Sequence, residues 1–154
     1  MDKAEKYLKD LASDNPDIRS RATSELWDMW YQEAGEAAES RLREGIHLME
    51  ARRFHEAEKH FVGLVADYPE FPEGHNKLAT ILFLNGKYKG SLKECRVSLN
   101  LNPNHFGAWN GMGMCLYNLC KYDEAISAFA KALAIQPHAT ANRQFIAQCR
   151  GKLN

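Results

Sequence analysis

The segment from Trp109 to Asn118, WNGMGMCLYN, and the one from Tyr122 to Ile135, YDEAISAFAKALAI, decide the fold. In both segments apolar residues return every three or four positions, which predicts two amphipathic helices. Pro137 follows the second segment and cannot continue a helix. Because only a short turn separates the two segments, the helices must lie antiparallel. This part of the chain is therefore predicted to be a helical hairpin.

The same pattern occurs twice more upstream, at an interval of 34 residues that Pro69, Pro103 and Pro137 mark. Further columns at this interval hold residues of one size class: Gly45/Ala79/Gly113, Leu48/Leu82/Leu116, Phe54/Tyr88/Tyr122, Ala57/Ser91/Ala125, Phe61/Cys95/Phe129 and Leu64/Ser98/Ala132. The two columns that hold only small residues, Gly45/Ala79/Gly113 and Ala57/Ser91/Ala125, predict where the paired helices approach each other most closely. Repeats of this length stack into a solenoid rather than closing around a single core.

The third unit resembles the tetratricopeptide repeat at nearly every signature position. Its matching residues are Trp109, Met112, Gly113, Leu116, Tyr122, Ala125, Phe129, Ala132 and Pro137. The resemblance covers about two-thirds of the chain, as units 38–71, 72–105 and 106–139, and the first unit departs from it at Arg41 and Glu44. It implies an all-α, right-handed superhelical solenoid of three helical hairpins.

Both ends of the chain are predicted to be helical caps. Residues 1–37 contain an Asn15-Pro16 helix start and then Leu26, Trp27 and Trp30, more apolar surface than one contact needs. We expect this helix to be buried on two sides. A Trp-x-x-Trp helix before a few repeats resembles small tetratricopeptide-repeat proteins, and this likeness transfers no activity. Residues 140–154 form the predicted C-terminal capping helix.

Composition excludes several functional classes. The 154 residues include 20 basic and 20 acidic side chains, so the chain lacks the positive charge typical of a nucleic-acid binder. The longest apolar stretch, Leu78–Leu84, is too short to cross a bilayer. We expect a soluble intracellular protein of the cytoplasm or an organelle matrix, without nucleic acid as a partner.

No motif predicts catalysis, a metal or a cofactor. His55 and His60 are five residues apart, whereas zinc binding on one helix face needs a spacing of four. The four cysteines contain no pair with metal-site or redox spacing, so we expect reduced thiols. We predict that the protein is not an enzyme.

The charges are unevenly divided along the chain. Residues 1–71 carry 16 acidic and 10 basic side chains, and residues 72–154 carry 4 and 10, giving net charges of −6 and +6. A basic rim is also predicted at the turns within the hairpins, from Arg52, Arg53, Lys87, Lys89 and Lys121. These charges are either ordinary solvated surface or a contact for an anionic partner, a membrane surface or a second copy of the chain.

A concave wall is the best candidate for a binding site. Positions 5, 9 and 12 of each first helix share one face, and position 6 borders it. The predicted partner-binding residues are Arg43, Ile46, Met49, Asn76, Lys77, Thr80, Phe83, Asn110, Met114 and Tyr117, with Leu42 and Asn118 beside them. Apolar, aromatic and amide groups suit a peptide or an amphipathic helix. The alternative is that the Trp27/Trp30 helix of the same chain fills part of this wall.

The resemblance also implies a ligand to test, the acidic C-terminal tail of the heat-shock chaperones Hsp70 and Hsp90. In the family a clamp of Lys, Asn and Arg side chains holds it. The clamp uses Lys and Asn in the first repeat, Asn in the second, and Lys and Arg in the third. The corresponding positions here are Leu42 and Ile46, then Lys77, then Gly107 and Gly111, and none has the residue type required at its position. We therefore do not expect this chain to bind that tail.

The sequence thus predicts a non-catalytic scaffold or adaptor that binds a peptide or helix of a partner protein in its concave groove. The alternative is an assembly element that self-associates through its opposite charges and Trp-rich cap, as a homo-oligomer.

Overall fold

The computed structural model describes all 154 residues and consists of nine α-helices with no strand. The helices are α1 (Lys3–Asp10), α2 (Pro16–Gln32), α3 (Glu36–Glu50), α4 (Phe54–Asp67), α5 (Pro72–Leu84), α6 (Tyr88–Leu101), α7 (Phe106–Asn118), α8 (Tyr122–Ile135) and α9 (Thr140–Leu153). Helices α3 to α8 form three successive hairpins that stack into a right-handed superhelix. The predicted fold class is confirmed.

The small columns lie where the two helices of a hairpin meet. A Cβ atom added at Gly113 would lie 2.6 Å from Cε1 of Phe129, and one at Gly45 would overlap the ring of Phe61. Phe61 and Phe129 are fully buried. Because each ring occupies the space of the missing side chain, a larger residue at either glycine would push the hairpin apart.

The fourth residue of successive first helices repeats one hydrogen bond. Trp109 Nε1 donates to the carbonyl oxygen of Pro103 at 2.8 Å, and His75 Nε2 donates to that of Pro69 at the same distance. Arg143 on α9 donates in the same way to Pro137 at 3.2 Å. The 34-residue register therefore continues into α9, which packs on α8 with Ile146 and Cys149 buried.

In the first hairpin, Arg41 occupies the repeat position of Trp109, and its contact is an ion pair. Arg41 binds Asp67 at 2.6 Å, and its guanidinium lies 5.9 Å from the centre of the Tyr68 ring. Glu44 is exposed, 3.8 Å from His60. The two departures from the family pattern thus lie at a partly solvated end of the array.

The turn inside each hairpin uses a left-handed residue at one repeat position. Gly86 has φ = 76°, while Arg52 and Cys120 adopt φ = 60° without being glycine. Such a conformation is strained for a residue with a side chain.

No helix is both long and apolar enough to span a membrane.

Candidate functional site: the concave wall

The first helices of the three hairpins, α3, α5 and α7, carry the predicted wall. The structure leaves some of these residues accessible and places Asn76 and Lys77 among other residues close to α2. Six remain half-buried and are called here the open wall: Ile46, Met49, Thr80, Phe83, Met114 and Tyr117. A second group lies under α2 at the first turns of α5 and α7, and it is called here the covered wall: Glu73, Asn76, Lys77, His105, Phe106 and Gly107.

Helix α2 covers these first turns with its aromatic side chains. The Trp30 ring stacks on His105, with ring centres 4.4 Å apart, and lies 5.0 Å from the Phe106 ring. Trp27 packs edge-on against His105 and Phe106. A Cβ atom at Gly107 would lie 2.7 Å from Cη2 of Trp27. The glycine at this position is therefore required by the close approach of α2.

Under α2 lies a buried polar network centred on Glu73, whose side chain is fully buried. His105 accepts a hydrogen bond at Nδ1 from the Ala108 amide at 3.0 Å. Its Nε2 therefore carries the proton and donates to Glu73 at 2.5 Å. Lys77 Nζ lies 3.2 Å from the other carboxylate oxygen, to which the Asn76 amide also donates at 3.2 Å. The network satisfies a charge that would otherwise be costly to bury.

The same contacts set the charge states. Burial by itself would raise the pKa of Glu73, yet the hydrogen bond from His105 and the positive charge of Lys77 outweigh it and lower this pKa. Burial would likewise lower the pKa of Lys77, but the carboxylate of Glu73 raises it above its usual value. Both residues are therefore ionised at neutral pH.

Three polar residues predicted to meet a partner have contacts within the chain instead. Asn76 is buried in the network, and the Lys77 ammonium lies 5.0 Å from the Trp27 ring and 5.3 Å from the Tyr31 ring. Arg43 binds Glu39 at 2.8 Å and lies 5.2 Å from the Tyr31 ring. Lys77 thus lies against α2 and Asn76 is bonded within the chain, whereas Arg43 stays about half exposed, and binding of a partner by these residues stays a prediction.

Two further positions differ from the expected wall. Leu42 is fully buried in the core of the first hairpins, so it presents no surface to a partner. Asn118 is exposed but donates to the Met114 carbonyl of its own helix at 2.8 Å. Asn110 is half-buried, and its carboxamide oxygen has no hydrogen-bond partner.

The open wall is built from apolar side chains that the hairpin cores support from behind. Phe83 packs on Tyr88 with ring centres 5.3 Å apart, and Tyr117 packs on Tyr122 at 5.4 Å. Met114 also contacts the core of the third hairpin. These contacts fix one side of each group and leave the other side accessible.

The predicted basic rim is partly neutralised. Arg53 binds Glu56 at 2.6 Å and Lys87 binds Glu58 at 2.7 Å.

Of the two histidines with near-zinc spacing, His60 donates to the Arg41 carbonyl at 2.6 Å. No group of three His, Cys, Asp or Glu side chains is arranged to hold a metal ion.

The sequence analysis missed the Glu73–His105 pair. Its members lie 32 residues apart, near the two ends of the repeat unit 72–105, and neither belongs to a column of the repeat pattern. The one available signal is an acidic residue directly after Pro72, in the first turn of a predicted helix. That signal alone does not identify a partner.

Comparison with known families identifies the class of protein that this fold defines. The family model described as anaphase-promoting complex, cyclosome, subunit 3, matches residues 50–132, more than half of the chain. The chain belongs to this family of tetratricopeptide-repeat proteins, as its repeat residues predicted.

Two curated relatives are similar over the repeats. A TPR repeat-containing protein of Rhizobium etli is 34% identical over 73 residues, which are 47% of this chain and 36% of that protein. The peroxisomal targeting signal receptor of Kluyveromyces lactis is 36% identical over 66 residues, 43% of this chain and 12% of the receptor. The chain thus matches well under two-thirds of either relative.

Solved structures share the fold. The first TPR of Spaghetti (RPAP3) bound to the HSP90 peptide SRMEEVD has a TM-score of 0.73 at 18% identity, over 75% of this chain and 92% of that one. The Sgt2 TPR domain from Aspergillus fumigatus has a TM-score of 0.71 at 15% identity, over 76% and 79%. At these identities the likeness shows the solenoid fold.

Proposed function

We propose that this protein is a non-catalytic intracellular adaptor that binds a peptide or an amphipathic helix of a partner protein on the open wall. One observation carries the proposal. Phe83, Met114 and Tyr117 stay half-exposed on the concave side, although the covered wall beside them is sealed by α2. Apolar side chains gathered in a concave surface gain free energy when a partner removes them from water.

Two kinds of evidence support a protein partner. The similar structures include the RPAP3 domain bound to an HSP90 peptide and the TPR2B domain of yeast Sti1 in a complex with Hsp70. Within this chain, α2 itself lies across the first turns of α5 and α7. A helix therefore fits against this side of the array.

A structural role for the Glu73–His105 pair is consistent with an adaptor. A carboxylate and an imidazole in contact could perform acid–base chemistry if a substrate reached them. Both side chains are fully buried beneath α2, and their hydrogen bonds stabilise the covered wall. Proteins of this fold generally act as scaffolds.

We further propose that the partner segment is not the acidic tail of a heat-shock chaperone. Leu42 is buried, Gly107 lies against Trp27, and Lys77 is paired with Glu73. The positions that would hold two carboxylates thus offer no free cation.

Affinity purification with mass spectrometry tests the adaptor function. We compare the wild-type chain with Met114→Glu on the open wall and with Val62→Glu on the outer surface of α4, where Val62 is 50% exposed. Circular dichroism first establishes that both variants are folded. Proteins captured by the wild type and Val62→Glu but lost with Met114→Glu support the proposal. Equal capture by all three would overturn it.

Self-association stays a second prediction, because several cations of the C-terminal half have no ion-pair partner. Lys89, Lys93 and Arg96 on α6 are exposed and form no salt bridge, while the first half holds the acidic excess. Static light scattering at low and at high salt measures the mass of the particle. A monomer under both conditions removes this reading.

A further inference from the structure

A small cavity opens on the concave side between α5 and α7. Its volume is about 100 Å³, and Ala79, Phe83, Cys95, Gly111 and Met114 supply its apolar lining. It lies within the open wall, next to the covered wall but outside the reach of Trp27 and Trp30, which do not line it. The cavity is therefore accessible while α2 is in place.

The cavity depends on Gly111. The other two hairpins have Arg43 and Lys77 at this repeat position, so a long side chain is compatible with the helix. Packing does not require the glycine: an added Cβ would lie 3.4 Å from Cys95 Sγ, compared with 2.7 Å from Trp27 at Gly107 and 2.6 Å from Phe129 at Gly113. The missing side chain leaves room that belongs to the cavity, which Gly111 lines.

The polar groups around the cavity already form hydrogen bonds within the chain. Asn76 donates to Glu73, Thr80 donates to the Asn76 carbonyl at 3.0 Å, and Ser91 donates to the Ala79 carbonyl at 2.6 Å. The nearest buried cation, Lys77, is paired with Glu73. A carboxylate entering this mostly apolar cavity would lose its water and gain few donors in return, which costs free energy.

We infer that this cavity binds one aliphatic side chain, of the size of valine, leucine or isoleucine, from the partner segment. Apolar cavities of about 150 Å³ accommodate benzene, so one of about 100 Å³ has room for three or four carbon atoms. The inference rests on the proposed function, because it assigns the residue by which the open wall selects its partner. An acidic side chain is disfavoured, because the mostly apolar lining would remove its water and return few hydrogen-bond donors.

A small probe tests the cavity without knowledge of the partner. The full chain, labelled with ¹⁵N, is titrated with N-acetyl-leucine N-methylamide and, in parallel, with the glycine and aspartate analogues. We expect the leucine probe to shift the amide resonances of Thr80, Gly111 and Met114. Burying its side chain should make it bind about tenfold more tightly than the glycine probe. The aspartate probe should bind no better than glycine.

Filling the cavity provides the matched variants. Gly111→Leu places an aliphatic side chain of the protein itself in the cavity and should abolish the shifts of the amide resonances. Thr80→Leu should have the same effect, and it provides the test if Gly111→Leu does not fold. Gly90→Leu is the control on α6, since its Cβ would make an ordinary 3.6 Å contact with Leu82. The same repeat position is an exposed Glu56 or Glu124 in the other hairpins. This control should bind the leucine probe as the wild type does.

Equal shifts with all three probes, or leucine binding that survives both filling variants, would overturn the inference. The same holds if these resonances shift on dilution without any probe, because a second copy of the chain would then occupy the cavity. The adaptor function fails separately, when Met114→Glu captures the same proteins as the wild type. The two failures are therefore distinguishable.

Discussion

The covered wall and most of the open wall lie on the same helices, α5 and α7, yet they use their side chains in opposite ways. In the covered wall, charged and amide groups are buried and paired with one another beneath Trp27 and Trp30. In the open wall, apolar and aromatic groups remain half-exposed. The difference shows that polarity at a concave position does not by itself indicate a partner contact.

The reason is the helix that lies across the first turns. Where α2 packs, it removes water, and any polar group beneath it must find a partner inside the chain. Where α2 is absent, apolar groups have no cover, and a second molecule can provide one. The following predictions test this contrast, in order of decreasing effect.

Breaking the buried ion pair should have the largest effect on stability. Glu73→Gln leaves Lys77 charged and uncompensated under Trp27, which should lower the free energy of unfolding by about 3–5 kcal/mol. Urea denaturation followed by circular dichroism measures it. The double variant with Lys77→Met should recover most of the loss. A loss below about 1 kcal/mol in Glu73→Gln would show that the pair is solvated.

Removing an aromatic ring of α2 should lower the free energy of unfolding by somewhat less. Trp30→Ala deletes the ring that stacks on His105 and Phe106 and should destabilise the chain by about 3 kcal/mol. The matched control is Leu101→Ala at the end of α6, where the side chain is 40% exposed, with an expected loss below about 1 kcal/mol. Similar losses in both variants, measured by urea denaturation, would contradict the description of α2 as a tight cover.

Acid should destabilise the covered wall selectively. The folded pKa of Glu73 lies below its usual value of 4.5, since His105 and Lys77 more than offset the effect of burial. Its contribution to stability is therefore complete above about pH 4.5 and is lost as the pH falls through the folded pKa. Unfolding free energies measured from neutral pH downward should fall more steeply for wild type than for Glu73→Gln. Equal slopes would mean that the pKa of Glu73 is not lowered in the folded chain.

The strained turn at Cys120, which belongs to neither wall, is predicted to give the smallest change in stability. Cys120 adopts a left-handed conformation at the position where the second hairpin has Gly86. Cys120→Gly should raise the melting temperature slightly, corresponding to a gain of about 0.5–1 kcal/mol. Gly86→Ala is the reverse test and should lose a similar amount. A loss of stability in Cys120→Gly would show that its thiol makes a contact that outweighs the strain.

The repeat fold could be predicted from the sequence because its determinants are local and periodic. Gly113 and Phe129 occur in the same hairpin, so their spacing already implies close helices, and the structure places the ring in the space at the glycine. The prolines mark the ends of units in the same way. The register extends to Arg143 on α9, whose hydrogen bond to Pro137 repeats that of Trp109.

The division of the concave wall could not be predicted, because it depends on where a non-repeating helix packs. The sequence indicates that α2 needs two buried sides, and it leaves open which part of the array supplies one of them. Asn76 illustrates the consequence: it shares the wall position of Asn110, yet it bonds to Glu73 beneath α2. For this reason Asn76→Ala would disturb the buried network, and Met114→Glu is the better test of partner binding.

Site-specific photocrosslinking tests the division of the wall most directly. A benzoylphenylalanine residue replaces Phe83 on the open wall or, as the control, Val62 on the outer surface of α4, and each full chain is irradiated in a cell extract. We expect a discrete adduct with another protein from position 83 and none from position 62. Adducts of the same proteins from both positions, or none from position 83, would contradict binding on the open wall.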